Sequence, residues 1–300
     1  MAEVEPYPTA AGVEAAIKDA AKEAAAADPS LSINERIRLE YFNRFLSRVF
    51  CEGADSEWLL KGGTGMLARL PSTRTTLDID LYRDGFTLDQ ALADLRRLAS
   101  TDLGDHFRFE YAGHEKSIGG EEQPYTEGYV VSFEAFIGPR NKGSLNVDLA
   151  VGAGLTAPVT TTEPANALDL PRLVRHEYRL YPVVDQIADK VCAIMQTYHE
   201  RPSSREKDLA VLAVTQNVDG TALGIAISTE ARRRLMEPFD HFAVPSDWGR
   251  RYAKLAKPVP YCADYSTVDL ARDLVTRFIN PSLDGGAAGK TWAPETRSWS

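Results

Sequence analysis

The stretch that decides the fold runs from residue 58 to residue 82 and reads WLLKGGTGMLARLPSTRTTLDIDLY. The apolar run Trp58–Leu60 is ended by a turn that contains Gly62 and Gly63. Apolar residues then recur at helical spacing until Pro71 stops them. This order predicts a strand, a glycine turn and a short helix.

Two predicted strands carry acidic residues between apolar ones. In LDIDLY, residues 77–82, Asp78 and Asp80 are one residue apart and therefore point to the same side of a half-buried strand. In SLNVDLAV, residues 144–151, Asp148 has apolar neighbours on both sides. If the two strands are neighbours, the three carboxylates converge. Such a set can hold two metal ions about 4 Å apart, which predicts phosphoryl or nucleotidyl transfer.

The glycine turn complements the carboxylates. Gly62 and Gly63 let backbone N–H groups approach a phosphate, the N-terminal end of the next helix favours an anion, and Thr64 adds a hydroxyl donor. Each motif also has an ordinary structural explanation. Alternating aspartates often form only an exposed polar face, and two glycines often form only a turn. The combination of the two motifs indicates a site for a cation and a phosphate.

Several other classes of protein are disfavoured. The five histidines have no HxxxH or HExxH spacing, and the three cysteines form no CxxC pair, which argues against zinc and disulfide frameworks. No GxSxG or GxxxxGK[ST] motif is present, which removes the simplest hydrolase and P-loop hypotheses. The N-terminus does not read as a signal peptide, and no stretch approaches about 20 apolar residues. We therefore expect a cytoplasmic protein that does not enter a membrane.

The periodicity predicts an α+β protein, in which helices and a sheet in the first half are followed by a mainly helical C-terminal half. An amphipathic helix should begin at Asn34, acting as its N-cap. The predicted parts are an N-terminal helical extension (1–34), a core (35–152), a mainly helical C-terminal domain (153–280) and a flexible tail rich in Gly, Ser and Pro (281–300).

Charge is unevenly distributed along this acidic chain, whose net charge is −9. Residues 1–171 hold 16 basic and 27 acidic side chains, whereas residues 172–257 hold 14 basic and 11 acidic ones. Basic clusters lie at residues 232–234 and at Arg250, Arg251, Lys254 and Lys257. They are either solvated helix faces or a surface for a polyanion.

Four segments together carry a family resemblance: LLKGGTGMLARLPSTRTTLDIDL, the later VDLAV strand, DQIADKVCAI and SSREKDLAVL. They resemble the bacterial AbiEii/MenT nucleotidyltransferase toxins of the polymerase-beta-like nucleotidyltransferase superfamily, over roughly residues 35–280. The glycine turn and paired aspartates occur throughout that superfamily. A lysine in an apolar helix, followed by R-x-x-D, narrows the resemblance to this family. The resemblance implies a nucleotidyltransferase fold, which is a mixed sheet with flanking helices.

The resemblance also implies site residues by position. The implied metal ligands are Asp78, Asp80 and Asp148. The implied nucleotide-binding residues are Lys61, Gly62, Gly63, Thr64, Lys190 and Arg205. The implied catalytic set is Asp78, Asp80, Asp148, Lys190 and Asp208. Asp148 would be either a metal ligand or the base.

Some of these residues also have simpler explanations. Lys190 could be an ordinary lysine at the edge of an amphipathic helix, and Arg205 with Asp208 could form only an i,i+3 ion pair. Arg74, in the loop before the acidic strand, is as easily a solvated arginine as a phosphate ligand.

The function implied by the resemblance is transfer of a nucleoside monophosphate from an NTP to an acceptor hydroxyl. It would require Mg²⁺, with Mn²⁺ as an alternative. The implied acceptor is the 3′ end of tRNA, and translation would stop unless a cognate antitoxin protein intervened. The basic clusters would then contact RNA. Two alternatives stay open: transfer to a protein or small-molecule hydroxyl, and a non-catalytic module that binds nucleotide and a partner.

Overall fold

The structure is a computed structural model. It describes residues 5–69, 78–116, 127–152, 154–165, 167–197, 203, 205–213, 217–257 and 259–300. Three positions named in the sequence analysis lie outside the described residues: Pro71, Arg74 and Leu77. The chain divides into two compact units. The first comprises residues up to Gly154 together with Thr160–Tyr181, and the second comprises Leu155–Val159 together with Pro182–Ser300.

The first unit is built on a mixed sheet. Its strands are β1 (Trp58–Leu60), β2 (Ile79–Asp84), β3 (Phe107–Lys116), β4 (Glu127–Ile137), β5 (Arg140–Gly152), β6 (Thr160–Thr162) and β7 (Tyr178–Leu180). In the described residues the strand order is β3-β4-β5-β2-β1-β7-β6. Strand β1 is parallel to β7 and β2 is parallel to β5, while the other neighbours are antiparallel. The predicted α+β class with a mixed sheet is confirmed.

Helices complete the first unit. They are α1 (Ala10–Ala27), α2 (Ile33–Val49), α3 (Gly62–Arg69) and α4 (Leu88–Ala99). The predicted order of strand, glycine turn and short helix is confirmed by β1 and α3. Helix α2 is capped by Ser32, not by the predicted Asn34. The Ser32 hydroxyl accepts the Glu35 N–H, and the Glu35 carboxylate accepts the Ser32 N–H at 2.7 Å, so the Ser-x-x-Glu capping box decides where the helix begins.

The hydrophobic core of this unit includes α1, which differs from the predicted separate extension at 1–34. Val13, Ile17 and Ala21 of α1 are buried and belong to the same cluster as the inward residues of α2 and the sheet. Alanine at the remaining positions gives a weak apolar stripe, but these three residues suffice to bury one face of the helix. The N-terminal helix is therefore part of the core domain.

The boundary after residue 152 is also more complex than predicted. Residues 160–181, expected in the helical domain, return to the sheet as β6 and β7. Leu180 pairs with Leu60, and the Tyr181 N–H donates to the Leu60 carbonyl at 2.9 Å. Strands of three residues are too short to show a readable alternation, so the pattern did not reveal them.

The second unit is mainly helical, as predicted. Its helices are α5 (Val183–Met195), α6 (Glu206–Ala213), α7 (Gly220–Arg233), α8 (Gly249–Ala256) and α9 (Val268–Leu283). Short strands β8 (Val218–Asp219), β9 (Thr291–Ala293) and β10 (Ser298–Trp299) form a small sheet in the order β10-β9-β8. None of the helices in the described ranges is long and apolar enough to cross a membrane.

The C-terminal residues are ordered, which corrects the predicted flexible tail at 281–300. Helix α9 continues through Pro281, and the Trp292 side chain is buried. The Trp292 ring lies 4.9 Å from the ring of Phe278 and 5.5 Å from that of Trp299, measured between centroids. Burial of large aromatic side chains outweighs the local Gly, Ser and Pro content.

Candidate active site

The predicted carboxylates lie on neighbouring parallel strands. Asp80 on β2 is in register with Asp148 on β5. Residues paired in this way project to the same face of a sheet from strands about 4.8 Å apart. Their neighbours Ile79, Leu81 and Val147 are buried in the core, so the two aspartates project to the opposite face. Asp80 is half-buried and Asp148 is exposed.

Asp78 directly precedes β2 and is half-buried. Its carbonyl oxygen accepts a hydrogen bond from the Thr64 hydroxyl at 2.9 Å. Thr64 thus connects the first turn of α3 to the start of the acidic strand. The hydroxyl was predicted to donate to a phosphate. In the structure it donates to the Asp78 carbonyl instead.

The glycine turn closes directly over Asp80. Gly62 has φ of +59°, and a Cβ atom at this position would lie 2.2 Å from the Asp80 Oδ2 atom. The Gly63 N–H donates to the same oxygen at 3.2 Å. Only glycine meets both the left-handed backbone and the close approach. The turn and the carboxylate therefore form one structural unit, in which the N–H of Gly63 already has an anionic acceptor.

Lys61 adds a positive charge to this region. Its N–H donates to the Asp80 carbonyl at 2.9 Å, one step beyond the registered pair of Leu60 and Leu81. Its Nζ atom lies within 6 Å of the ring centroids of Tyr82 and Tyr181. The acidic face of the sheet, defined as Lys61, Tyr82, Asp80 and Asp148, therefore presents carboxylates beside an ammonium group.

Sequence reasoning missed the two tyrosines. Tyr82 could have been found, since it is two residues after Asp80 and period-two alternation places both on one face. Tyr181 follows a three-residue strand and had no such signal. Its carbonyl accepts a 2.7 Å hydrogen bond from Arg69, whose pKa burial lowers to about 10. Arg69 still carries its charge at neutral pH.

The donor chemistry of this face, together with Asp78 at the start of β2, fits a hard divalent cation, since Asp78, Asp80 and Asp148 offer carboxylate oxygens. Within the described ranges, however, no three His, Cys, Asp or Glu side chains are grouped closely enough to hold a metal ion by themselves. This arrangement is compatible with Mg²⁺, which is usually bound through one or two carboxylates, water and substrate phosphates. The metal and catalytic roles of the three aspartates stay predictions.

The second unit contains a separate charged cluster around Lys190. The Nζ atom of Lys190, on α5, lies 3.4 Å from Asp208 Oδ1 on α6 and 3.3 Å from Asp189 Oδ2. The Asp208 side chain is only 3% exposed, and its Oδ2 atom has no hydrogen-bond partner in the described part of the chain. Lys190 is thus partly buried and paired, unlike an ordinary surface lysine.

The simpler explanation of the R-x-x-D element was an ion pair between Arg205 and Asp208, and the structure does not show this pair between the two described side chains. Among the described residues, Arg205 makes no ion pair with Asp208. The two are linked through the backbone, where the Asp208 N–H donates to the Arg205 carbonyl at 2.8 Å. The predicted nucleotide roles of Lys190, Arg205 and Asp208 are not decided by these contacts and stay predictions.

The two basic clusters differ in exposure. At 232–234, Arg234 is buried and its guanidinium contacts Asp189 at 2.5 Å and Glu230 at 2.6 Å. This cluster therefore does not present three free arginines to a polyanion. On and just after α8, the basic residues are all exposed: Arg250, Arg251, Lys254 and Lys257. One of them, Arg251, also contacts Glu206.

Carboxylates on adjacent strands beside a glycine turn are the groups that a site for a cation and a phosphate would use. A family profile described as "Nucleotidyl transferase AbiEii toxin, Type IV TA system" matches residues 44–273. The chain belongs to this family of nucleotidyl transferase toxins.

The solved structures that are similar to the chain include JHP933 and MenT4. JHP933 from Helicobacter pylori is 16% identical, with a TM-score of 0.44, and the match covers 82% of this chain and 94% of that one. MenT4, a nucleotidyltransferase toxin from Mycobacterium tuberculosis H37Rv, is 13% identical, with a TM-score of 0.49 and coverage of 89% and 98%. No curated protein sequence matches.

Proposed function

We propose that the protein transfers a nucleoside monophosphate from an NTP to an acceptor hydroxyl and releases pyrophosphate. The observation that carries the proposal is the registered pair of Asp80 and Asp148 under the glycine turn at Gly62. Each of the two motifs alone is weak evidence for this reaction. In the structure they form one acidic face with a closely fitted turn. Family membership over residues 44–273 supports the same reaction class.

Each residue of the acidic face has a separate proposed role in the reaction. Asp78 and Asp80 would hold Mg²⁺, or Mn²⁺ in its place, which when bound offsets the negative charge of the triphosphate. Lys61 would contact phosphate oxygens with its ammonium group. Asp148 is the most exposed of the three aspartates and would take the proton of the acceptor hydroxyl. The acceptor oxygen then bonds to the α-phosphorus, and the bond from that phosphorus to the pyrophosphate oxygen breaks.

The proposed acceptor is the 3′ end of tRNA, and the cellular outcome is blocked translation. Exposed basic residues of the α8 segment support an RNA partner. Arg250, Lys254 and Lys257 are solvent-exposed cations that can approach phosphates. The net charge of −9 does not oppose this, because the acidic excess lies before residue 172. As a member of a toxin family, the protein is proposed to be neutralised by a cognate antitoxin.

The test is incubation of the purified protein and Mg²⁺ with each labelled NTP and three acceptor pools: total tRNA, cellular protein and small molecules. We expect label in the tRNA fraction, lost when the 3′-terminal hydroxyls are oxidised with periodate. Label in protein or small molecules would replace the tRNA proposal with the alternative acceptor. No label in any pool, with bound NTP, would favour a non-catalytic module.

A further inference from the structure

The ammonium group of Lys61 lies against two buried tyrosine rings beside the glycine turn. The Nζ atom is 5.8 Å from the ring centroid of Tyr82 and 5.6 Å from that of Tyr181. The rings are 6% and 8% exposed and meet edge to face, with their centroids 5.1 Å apart. An aromatic ring attracts a cation within about 6 Å of its centroid. Both rings therefore contribute to the position of one ammonium group.

A polar contact and close packing fix the Tyr82 ring, and a hydrogen bond fixes the backbone that carries the Tyr181 ring. The Tyr82 hydroxyl donates to Asp84 Oδ1 at 3.1 Å, and a Cβ atom at Gly152 would lie only 2.8 Å from that hydroxyl oxygen. The Tyr181 carbonyl accepts from the Arg69 guanidinium at 2.7 Å. A lysine has a long flexible stem that would otherwise sample many rotamers. The surroundings of Lys61 restrict that freedom.

We propose that Tyr82 and Tyr181 are positioning residues that hold the Lys61 ammonium for the phosphates of the NTP. This inference rests on the proposed function. The carboxylates of Asp80 and Asp148 face the same side of the sheet and repel a triphosphate. An uncharged ring orients the ammonium without neutralising it, whereas a carboxylate partner would cancel its charge. The two tyrosines thus hold the ammonium group beside the turn without adding a negative charge to the site.

The experiment measures binding separately from chemistry. Calorimetry with Mg²⁺ and the four α,β-methylene ribonucleoside triphosphates, which cannot release pyrophosphate, gives the dissociation constant. The variants are Tyr181→Leu, Tyr181→Phe, Lys61→Met and the double variant Lys61→Met/Tyr181→Leu, with thermal unfolding recorded for each. Tyr181→Met provides a second ring-free variant in case the leucine variant does not fold, and Tyr82→Leu and Tyr82→Phe are measured in parallel.

We expect loss of either ring to weaken binding roughly 2- to 30-fold. Tyr181→Phe should restore binding fully, whereas Tyr82→Phe should restore it in part because it lacks the hydroxyl that contacts Asp84. In the Lys61→Met background, loss of the Tyr181 ring should change binding less than about twofold, because the rings act through the lysine. Equal losses in both backgrounds, or no loss with Lys61 present, would overturn the inference while leaving the proposed function intact. A wild-type protein that binds none of the triphosphates would overturn both.

Discussion

The acidic face of the sheet and the α8 segment differ in how their charged groups are held. On the sheet, Asp80 is fixed by strand register and by the turn at Gly62, and Lys61 is fixed by two rings. On α8, Arg250 and Lys254 project into solvent. A fixed arrangement suits chemistry, in which atoms must be placed closely. A loose arrangement suits attraction of a polyanion, which depends on charge more than on geometry.

Arg234 shows why a run of basic residues is not a surface in itself. It belongs to the same sequence cluster as Arg232, yet it is buried against Asp189 and Glu230 while Arg232 is exposed. The difference between neighbours in one cluster comes from tertiary contacts. A count of charged residues indicates which partner a segment could bind only when the buried residues are left out of the count.

The largest effect is expected from the fixed region. Asp80→Asn keeps the shape of the side chain and an oxygen for the Gly63 N–H, but removes the negative charge needed for a divalent cation. We expect transfer of labelled nucleotide to fall about 10²- to 10⁴-fold with little change in thermal unfolding. Glu110→Gln, an exposed acid on the same sheet, is the matched control. Equal activity of both variants would exclude a catalytic role for Asp80.

The next test uses two glycines with nearly identical backbone angles. Gly62 has φ of +59° and Gly53 has φ of +60°, but only Gly62 has Asp80 against its Cβ position. Alanine at either position costs about 1–2 kcal/mol of unfolding free energy for the left-handed backbone. Only Gly62→Ala should displace Asp80, and we expect about a 10²-fold loss of transfer. A comparable loss in Gly53→Ala would show that backbone strain alone is responsible.

Arg234 and Arg232 provide a smaller contrast within one cluster. Arg234→Gln removes the buried guanidinium between Asp189 and Glu230, while Lys190 stays 3.3 Å from Asp189. We therefore expect a loss of about 1–3 kcal/mol in the free energy of unfolding by urea. Arg232→Gln should change it by less than about 0.5 kcal/mol, because its side chain is exposed. Similar small losses in both variants would indicate that Arg234 is not a structural residue.

The smallest effect is expected on α8. The salt dependence of RNA binding is measured as the slope of log K against the logarithm of the salt concentration. Replacing Arg250 and Lys254 with glutamine should lower the magnitude of this slope by about 2. Arg251 is left unchanged because it contacts Glu206. A double variant of Arg232 and Arg233 to glutamine serves as the charge-matched control. If the control reduces the slope as much, the RNA surface is not specific to α8.

Local sequence predicted the parts of the site that depend on local geometry. The strand, glycine turn and helix around Gly62 follow from spacing, and the face of the sheet to which Asp80 projects follows from alternation. The register of Asp80 with Asp148 depends on pairing between segments far apart in sequence. The sequence therefore supported this placement only on the condition that the two strands are neighbours. The structure meets that condition.

The remaining errors share a physical origin in tertiary contacts. Short strands such as β7 contain too few residues for a period to be visible, so Tyr181 was not foreseen. The order of the last 20 residues depends on Trp292 packing against Phe278, which composition does not express. The burial of Arg234 depends on Asp189, which lies 45 residues earlier on a different helix. Each outcome reflects contacts that local propensity does not contain.

The central claim is that the acidic face supports nucleotidyl transfer. The most direct measurement compares two preparations of the preferred NTP, one radiolabelled at the α-phosphorus and one at the γ-phosphorus, with total tRNA as acceptor. We predict that α-label becomes attached to tRNA while γ-label is recovered as pyrophosphate, and that Asp80→Asn abolishes both. Attachment of γ-label to the acceptor, or release of inorganic phosphate without attachment of α-label, would contradict the claim.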